Sequence, residues 1–356
     1  MRLGSLGTVT VEKVLLASPR GYCAGVEMPI KALAWMVRVF DPPVYCYHEI
    51  VHNQVVVERF EKLGVVFVED VAEVPPGAPL MLSAHGSPPE VVARARETGG
   101  AVVNAVCPLV KKVHHEVKVR SAKGYTIVYV GHAGHQEAIG TMAVAPDAIH
   151  LVESVADIDA LPEPAGPVAF LAQTTLALDE WKTLLDHARR RWPDLWVPGQ
   201  SDLCFATTNR QAALKAIAGR CDVVVVIGSA NSSNTRALER TARAAGCGRV
   251  LRVNGPGELP DDLAGTVGVI AGASAPEELV TAVVERLSPT GGSEELRAVD
   301  EDQYFGPPPE LRELLRNVAA VVSTVGLAPG GDPSAGGRLV DDRYVDAAEA
   351  LSALSG

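Results

Sequence analysis

The sequence predicts an α/β protein built from three related α/β domains, with mainly parallel sheets arranged pseudo-threefold around a shared centre. Two observations carry this reading. Short Val- and Ile-rich runs alternate with helical stretches along most of the chain, the pattern of repeated βα units on parallel sheets. A long-period repeat is laid over that alternation, because three segments share one order: strand, polar turn containing Cys, helix, strand, polar turn, helix, strand, polar turn, helix.

The strand runs are clearest at Val14–Ala17, Thr126–Val130 and Val223–Ile227. The Cys turns are Arg20-Gly21-Tyr22-Cys23-Ala24-Gly25, Asn104-Ala105-Val106-Cys107-Pro108 and Ser201-Asp202-Leu203-Cys204-Phe205-Ala206. An apolar stripe follows each: Ile30, Leu33 and Val37; Leu109, Val113 and Val117; Leu214 and Ile217. Each Cys is therefore expected near a helix N-terminus. The second turn carries His52, His135 and Ser232, which lie 29, 28 and 28 residues after their Cys. The third carries His85, Thr174 and Ser274, which lie 62, 67 and 70 residues after it. Ligands collect beyond the carboxyl ends of parallel strands, so each unit is expected to present its three turns on one edge. The units are placed at 1–103, 104–200 and 201–287, the first strand of a later unit being borrowed from the preceding segment. The Ser288–Ser293 linker then opens a closing segment and tail over 288–356. Ala328–Gly337 is a second Gly/Pro-rich breaker, and Val345–Leu354 reads as a short last helix.

Composition narrows the function. Hydrophobic residues make up 47% and charged residues 21%, with 32 Lys and Arg against 43 Asp and Glu for a net charge of -11. A broad nucleic-acid or anionic-membrane surface is disfavoured by that sign. No apolar run reaches the roughly 18 residues of a membrane span, and Glu12 and Lys13 interrupt what would be a signal peptide. The expected location is the cytoplasm. Six cysteines spread over such a chain are expected as reduced thiols or metal ligands.

Helix N-termini favour thiolates, the form that binds soft metals, so Cys23, Cys107 and Cys204 are expected to have lowered pKa values. Three thiolates suit an iron-sulfur cluster, and a four-iron cubane held by three Cys keeps one iron open for substrate. Cys46, Cys221 and Cys247 fall outside the repeated turn and are read as ordinary buried thiols. The turns also carry His52, His85, His135, Thr174, Thr175, Ser232, Ser233, Asn234 and Ser274. Imidazoles, hydroxyls and helix N-termini of this kind can bind a small diphosphate without a Lys or Arg cluster. His114, His115, His150 and His187 are read as structural, with His48 and His132 open. Glu137, two residues beyond His135, is a proton-donor candidate whose pKa a neighbouring polyanion should raise. Capping of the following helix is the alternative.

With these strings in place the chain resembles the 4-hydroxy-3-methylbut-2-enyl diphosphate reductase family, IspH or LytB. The resemblance rests on Arg20–Val26, Glu49–Asn53, Ser83–Gly86, Cys107–Val110, Gly131–Glu137 with Gly140–Met142, Gln173–Leu176, Ala206–Gln211, Ser232–Asn234 and Gly272–Pro276, in family order from about residue 14 to 287. It implies that Cys23, Cys107 and Cys204 hold a [4Fe-4S] cluster at the centre of three α/β domains. It further implies that His52, His85, His135, Ser232, Ser233, Asn234 and Ser274 surround the diphosphate, with Thr175 nearby. Thr174 would orient the allylic hydroxyl and Glu137 would supply protons. The implied reaction is reductive loss of that hydroxyl as water, giving isopentenyl and dimethylallyl diphosphate, with ferredoxin or flavodoxin as electron donor. Departures from the family pattern are Glu27-Met28-Pro29-Ile30, Gln136 and Ala138-Ile139. Two other readings stay open: a quinolinate-synthase-like dehydratase using the same three-Cys design, and a non-enzymatic redox sensor.

Overall fold

The computed structural model describes residues 10–324 and 342–354. The Ala328–Gly337 breaker lies outside them. The strands, in chain order, are β1 (Val11–Ser18), β2 (Val44–Tyr47), β3 (Val65–Val68), β4 (Leu80–Leu82), β5 (Val102–Asn104), β6 (Thr126–Val130), β7 (Ile149–Val152), β8 (Val168–Ala172), β9 (Val223–Ile227), β10 (Arg249–Val253), β11 (Gly265–Ala271) and β12 (Ser293–Arg297). They form three sheets, ordered β3-β2-β4-β5, β7-β6-β8 and β10-β9-β11-β1-β12. The ladders among the described residues are parallel, so helical crossovers join most neighbouring strands. The α/β reading with parallel sheets is therefore correct.

Both faces of each sheet are covered. In β9, Val223, Val225 and Ile227 face one apolar core while Val224 and Val226 face another. All five are buried, a double burial that explains the unbroken apolar run. Each such side chain contributes about 1.5–3 kcal/mol through the hydrophobic effect. Strand β6 divides in the same way, Val128 and Val130 against Ile127 and Tyr129.

Sheet membership cuts across the order of the sequence. β1 lies beside β11, so the first residues described complete the sheet of the third segment. β5, which leads into Cys107, pairs with β4 of the first segment. Trp196, ahead of Cys204, bridges Ala169 in β8. The residues leading into each Cys turn thus lie against β11, β4 and β8 respectively. The stretch after Leu287 holds more structure than a linker. Ser288 adopts a left-handed conformation, φ 44°, and Ser293–Arg297 then adds β12 to β1. The closing residues also pack inward: Leu311, Leu315, Ala347 and Leu351 join the core of the first sheet. Among the described residues no helix is long and apolar enough to cross a membrane.

Candidate functional site

Cys23, Cys107 and Cys204 are each the N-cap residue of a helix, Ala24–Val39, Pro108–Ala122 and Phe205–Ala218. Their backbones are fixed in a cycle. Cys23 N–H donates to Ala273 O (3.2 Å), Cys107 N–H to Ala84 O (3.0 Å) and Cys204 N–H to Thr174 O (2.9 Å). In every case the acceptor lies in or next to the third polar turn of a different segment. Adjacent parallel strands end side by side, so a Cys turn leaving one strand meets the polar turn leaving its neighbour. Three repetitions of that contact bring all three thiols to one cavity.

The expected lowering of the three thiol pKa values is not found. Burial pushes Cys204 up to about 12 and raises Cys23 and Cys107, with repulsion among the thiolates adding to Cys107 and Cys204. N–H groups of the helix first turns oppose the rise without overcoming it. Removing sulfur from water outweighs a helix terminus here. Deprotonation then has to be coupled to arrival of a positively charged group.

Gly25 shows how little room separates two of the thiols. A Cβ there would stand 2.7 Å from Cys107 Sγ and 3.7 Å from Cys23 Sγ. Gly25→Ala is expected to keep the fold while displacing Cys107, lowering iron retention ten- to a hundredfold. Iron analysis after anaerobic reconstitution checks this.

The cavity is about 670 Å³, counting space open to solvent, and every site residue named from the sequence lines it. His52 and His85 stack with centroids 3.8 Å apart, and His135 stands edge-on to them at 5.2 and 6.2 Å. His135 Nδ1 accepts from Glu137 N–H at 3.1 Å. That bond places the proton of a neutral ring on Nε2, a buried atom with no partner among the described residues. Burial and neighbouring histidines hold His85 well below the usual imidazole range and bring His135 down to about 3. His52 Nδ1 faces Glu49 Oε2 at 3.1 Å, and its Nε2 is likewise buried without a partner.

The third segment completes this wall. Ser232 caps the Ser233–Ala244 helix by accepting from Thr235 N–H, which leaves its own O–H to donate. Ser233 Oγ is buried and unpartnered among the described residues. Asn234 binds Ala273 N–H and Thr207 Oγ1 at 3.0 and 3.3 Å. Ser274 gives its proton to His52 O at 2.8 Å, so in this conformation it positions His52 rather than offering a donor. Thr175 Oγ1 accepts from Gln173 and keeps its own O–H available. Helix N-termini after Asn53, His135 and Ser232 converge here as well, a field that favours an anion. No Lys or Arg of the described residues lines the cavity.

Glu137 is buried and does not cap its helix; the His135 side chain does. Its Oε1 accepts from Thr174 N–H at 2.7 Å and its Oε2 from Thr174 Oγ1 at 3.1 Å. Burial raises it to about 7, against those two hydrogen bonds and with a smaller push from Asp202. The rise expected from a neighbouring polyanion is already present through desolvation.

The remaining assignments divide cleanly. His48 pairs with Glu69 and His187 with Asp159, and neither they nor His132 line the cavity. Cys46 is core in β2, while Cys221 and Cys247 belong to the β9 core. Thr207 and Gly25 line the cavity too, and Glu49 and Asn231 stand behind His52, roles that the sequence pattern does not assign. Asn231 donates to Glu49 at 2.8 Å and so ties the His52 turn to the third segment. Thr207 lay within a quoted string, Ala206–Gln211, without a role.

The LytB protein family model matches residues 14–288. The 4-hydroxy-3-methylbut-2-enyl diphosphate reductase 2 of Mycobacterium bovis is 47% identical over 319 residues, covering 86% of this chain and 95% of that protein. The reductase of Rhodopirellula baltica is 44% identical over 318 residues, covering 88% and 99%. Among solved structures, the E-1-hydroxy-2-methyl-but-2-enyl-4-diphosphate reductase from Plasmodium falciparum superposes with a TM-score of 0.84 at 30% identity, covering 87% of this chain and 99% of that one.

Proposed function

The chain belongs to the LytB protein family, and from that premise we propose that it reduces (E)-4-hydroxy-3-methylbut-2-enyl diphosphate to isopentenyl and dimethylallyl diphosphate, the terminal step of non-mevalonate isoprenoid synthesis. It is an oxidoreductase. The balance is loss of the allylic hydroxyl as water with uptake of two electrons and two protons. The observation that carries the reading is the meeting of three Cys N-caps, three histidines and the Glu137–Thr174 pair on one cavity.

A [4Fe-4S] cluster fits the residues present. The soft thiols of Cys23, Cys107 and Cys204 border a shared space, and Gly25 keeps that space clear of a Cβ. When bound, the cluster would supply electrons one at a time and present one iron without a protein ligand.

The chain's own groups supply the rest. His52, His85, His135, Ser232, Ser233 and Asn234 bind the diphosphate, His135 through Nε2–H and the serines through O–H. Ser274 supports His52, and Thr175 lies at the edge of the group. The His85 ring, held neutral by burial, can take up a proton as the polyanion enters, since a nearby negative charge raises imidazole pKa. Thr174 orients the allylic hydroxyl. Protonated Glu137 donates from Oε2 to Thr174 Oγ1, which passes its own proton to the leaving oxygen. A carboxyl near pH 7 is suited to that role, because both the acid and its conjugate base are populated. The electron donor proposed is ferredoxin or flavodoxin, and the location the cytoplasm.

The test is anaerobic reconstitution with iron and sulfide, then turnover with the diphosphate substrate and a strong reductant. Two electrons consumed per product formed is the expected result. Turnover without net reductant supports the dehydratase alternative, and a cluster without turnover supports the sensor.

A further inference from the structure

Arg210 is among the largest fully buried side chains of the protein, 1% exposed, and lies in the helix that Cys204 caps. Its Nε and Nη2 donate to Gly21 O at 3.1 and 2.7 Å, and Nη2 also reaches Tyr22 O at 3.2 Å. These are the two carbonyls immediately before Cys23. Its Nη1 donates to Ala206 O at 3.0 Å, in the first turn after Cys204. The same nitrogen meets both carboxylate oxygens of Glu301, at 3.0 and 3.2 Å. Glu301 also accepts from Asn209 Nδ2 at 2.9 Å, which fixes it against the same helix. One guanidinium therefore ties together two of the three Cys turns and the closing segment after β12.

Burying such a pair is expensive in desolvation, and apolar side chains of similar volume would fill the space more stably. The carbonyls of Gly21 and Tyr22, just before Cys23, and of Ala206, just after Cys204, explain why a cation stands here. We propose that Arg210 and Glu301 are positioning residues for the iron-sulfur cluster: Arg210 sets the spacing of the Cys23 and Cys204 turns and lends them positive charge, and Glu301 cancels part of that charge. This rests on the cluster assigned above.

Added positive charge favours the reduced cluster, so the two partners have opposite effects on its potential. Arg210→Gln is expected to lower the one-electron midpoint and Glu301→Gln to raise it, each by about a tenfold change in the equilibrium, ~59 mV. Arg210→Lys keeps the charge without the fork of donors. It should hold the wild-type potential while losing iron faster. Potentials come from anaerobic redox titration followed by electron paramagnetic resonance, with iron content and the melting temperature of the metal-free protein measured alongside. Shifts of the same sign, or no shift at full iron content, overturn the proposal. If Arg210→Gln retains no cluster, Glu301→Gln decides the charge effect, a potential that fails to rise overturning it, and Arg210→Lys decides the positioning effect, wild-type iron retention overturning that. Failure of the wild type to take up iron and sulfide would instead reject the cluster itself.

Discussion

Cys107→Ser is expected to abolish turnover, by on the order of 10³-fold or more, and to leave the reconstituted protein short of iron and sulfide. Loss of groups that merely support a metal ligand costs about 10–100-fold, so loss of a ligand should exceed that range. Serine keeps the N-cap position and the backbone bond from residue 107 to Ala84 O, and the metal-free melting temperature should change little. Cys221→Ser is the matched control. Cys221 Sγ donates to Ile217 O at 3.2 Å, a bond that serine can repeat, and it lies away from the cavity. That variant should retain full iron and activity. Equal iron content in the two variants would remove Cys107 from the ligand set and with it the three-thiol site.

The parallel α/β architecture and the convergence of the turns were legible because both depend on periodic features. Val223–Ile227 announces a doubly buried strand, and a Cys at fixed spacing from two polar turns announces the edge where strands end. β12 was missed for the opposite reason. Ser293-Glu294-Glu295-Leu296-Arg297 has no apolar face, and its place beside β1 comes with pairs from elsewhere in the chain, Lys13 with Glu294 at 2.5 Å and Arg20 with Glu295 at 2.9 Å. Arg210 was missed similarly: what makes a buried guanidinium acceptable is Gly21, Tyr22 and Glu301, none near it in sequence. The thiol pKa values reversed because a helix N-terminus can be read locally, whereas the depth at which it is buried cannot.

Glu137→Gln tests the proton supply and should lower turnover by about 10²–10⁴-fold with iron content unchanged. Glutamine can still accept from Thr174 N–H, so the loop stays in place and only the transferable proton is lost. In the wild type the acid form is the active one, so turnover should fall as pH rises through about 7, the value to which burial brings Glu137. The residual activity of the variant should lack that step. Folding of the metal-free protein gives an independent reading with a definite sign. The folded-state pKa lies above the ordinary 4.5, so between these values the folded chain holds a proton that the unfolded chain has released. Stability then declines as pH increases across this window and stays reduced above it, by roughly 3 kcal/mol for a shift of this size. Asp202, raised by burial to about 6, adds a slope of its own to both proteins, which differ there only through its weak coupling to Glu137. Glu137→Gln should therefore match the wild type near pH 4 and exceed it in melting temperature at pH 8. A constant difference across that range would mean that Glu137 titrates normally, and the proton relay through Thr174 would have to start from another acid.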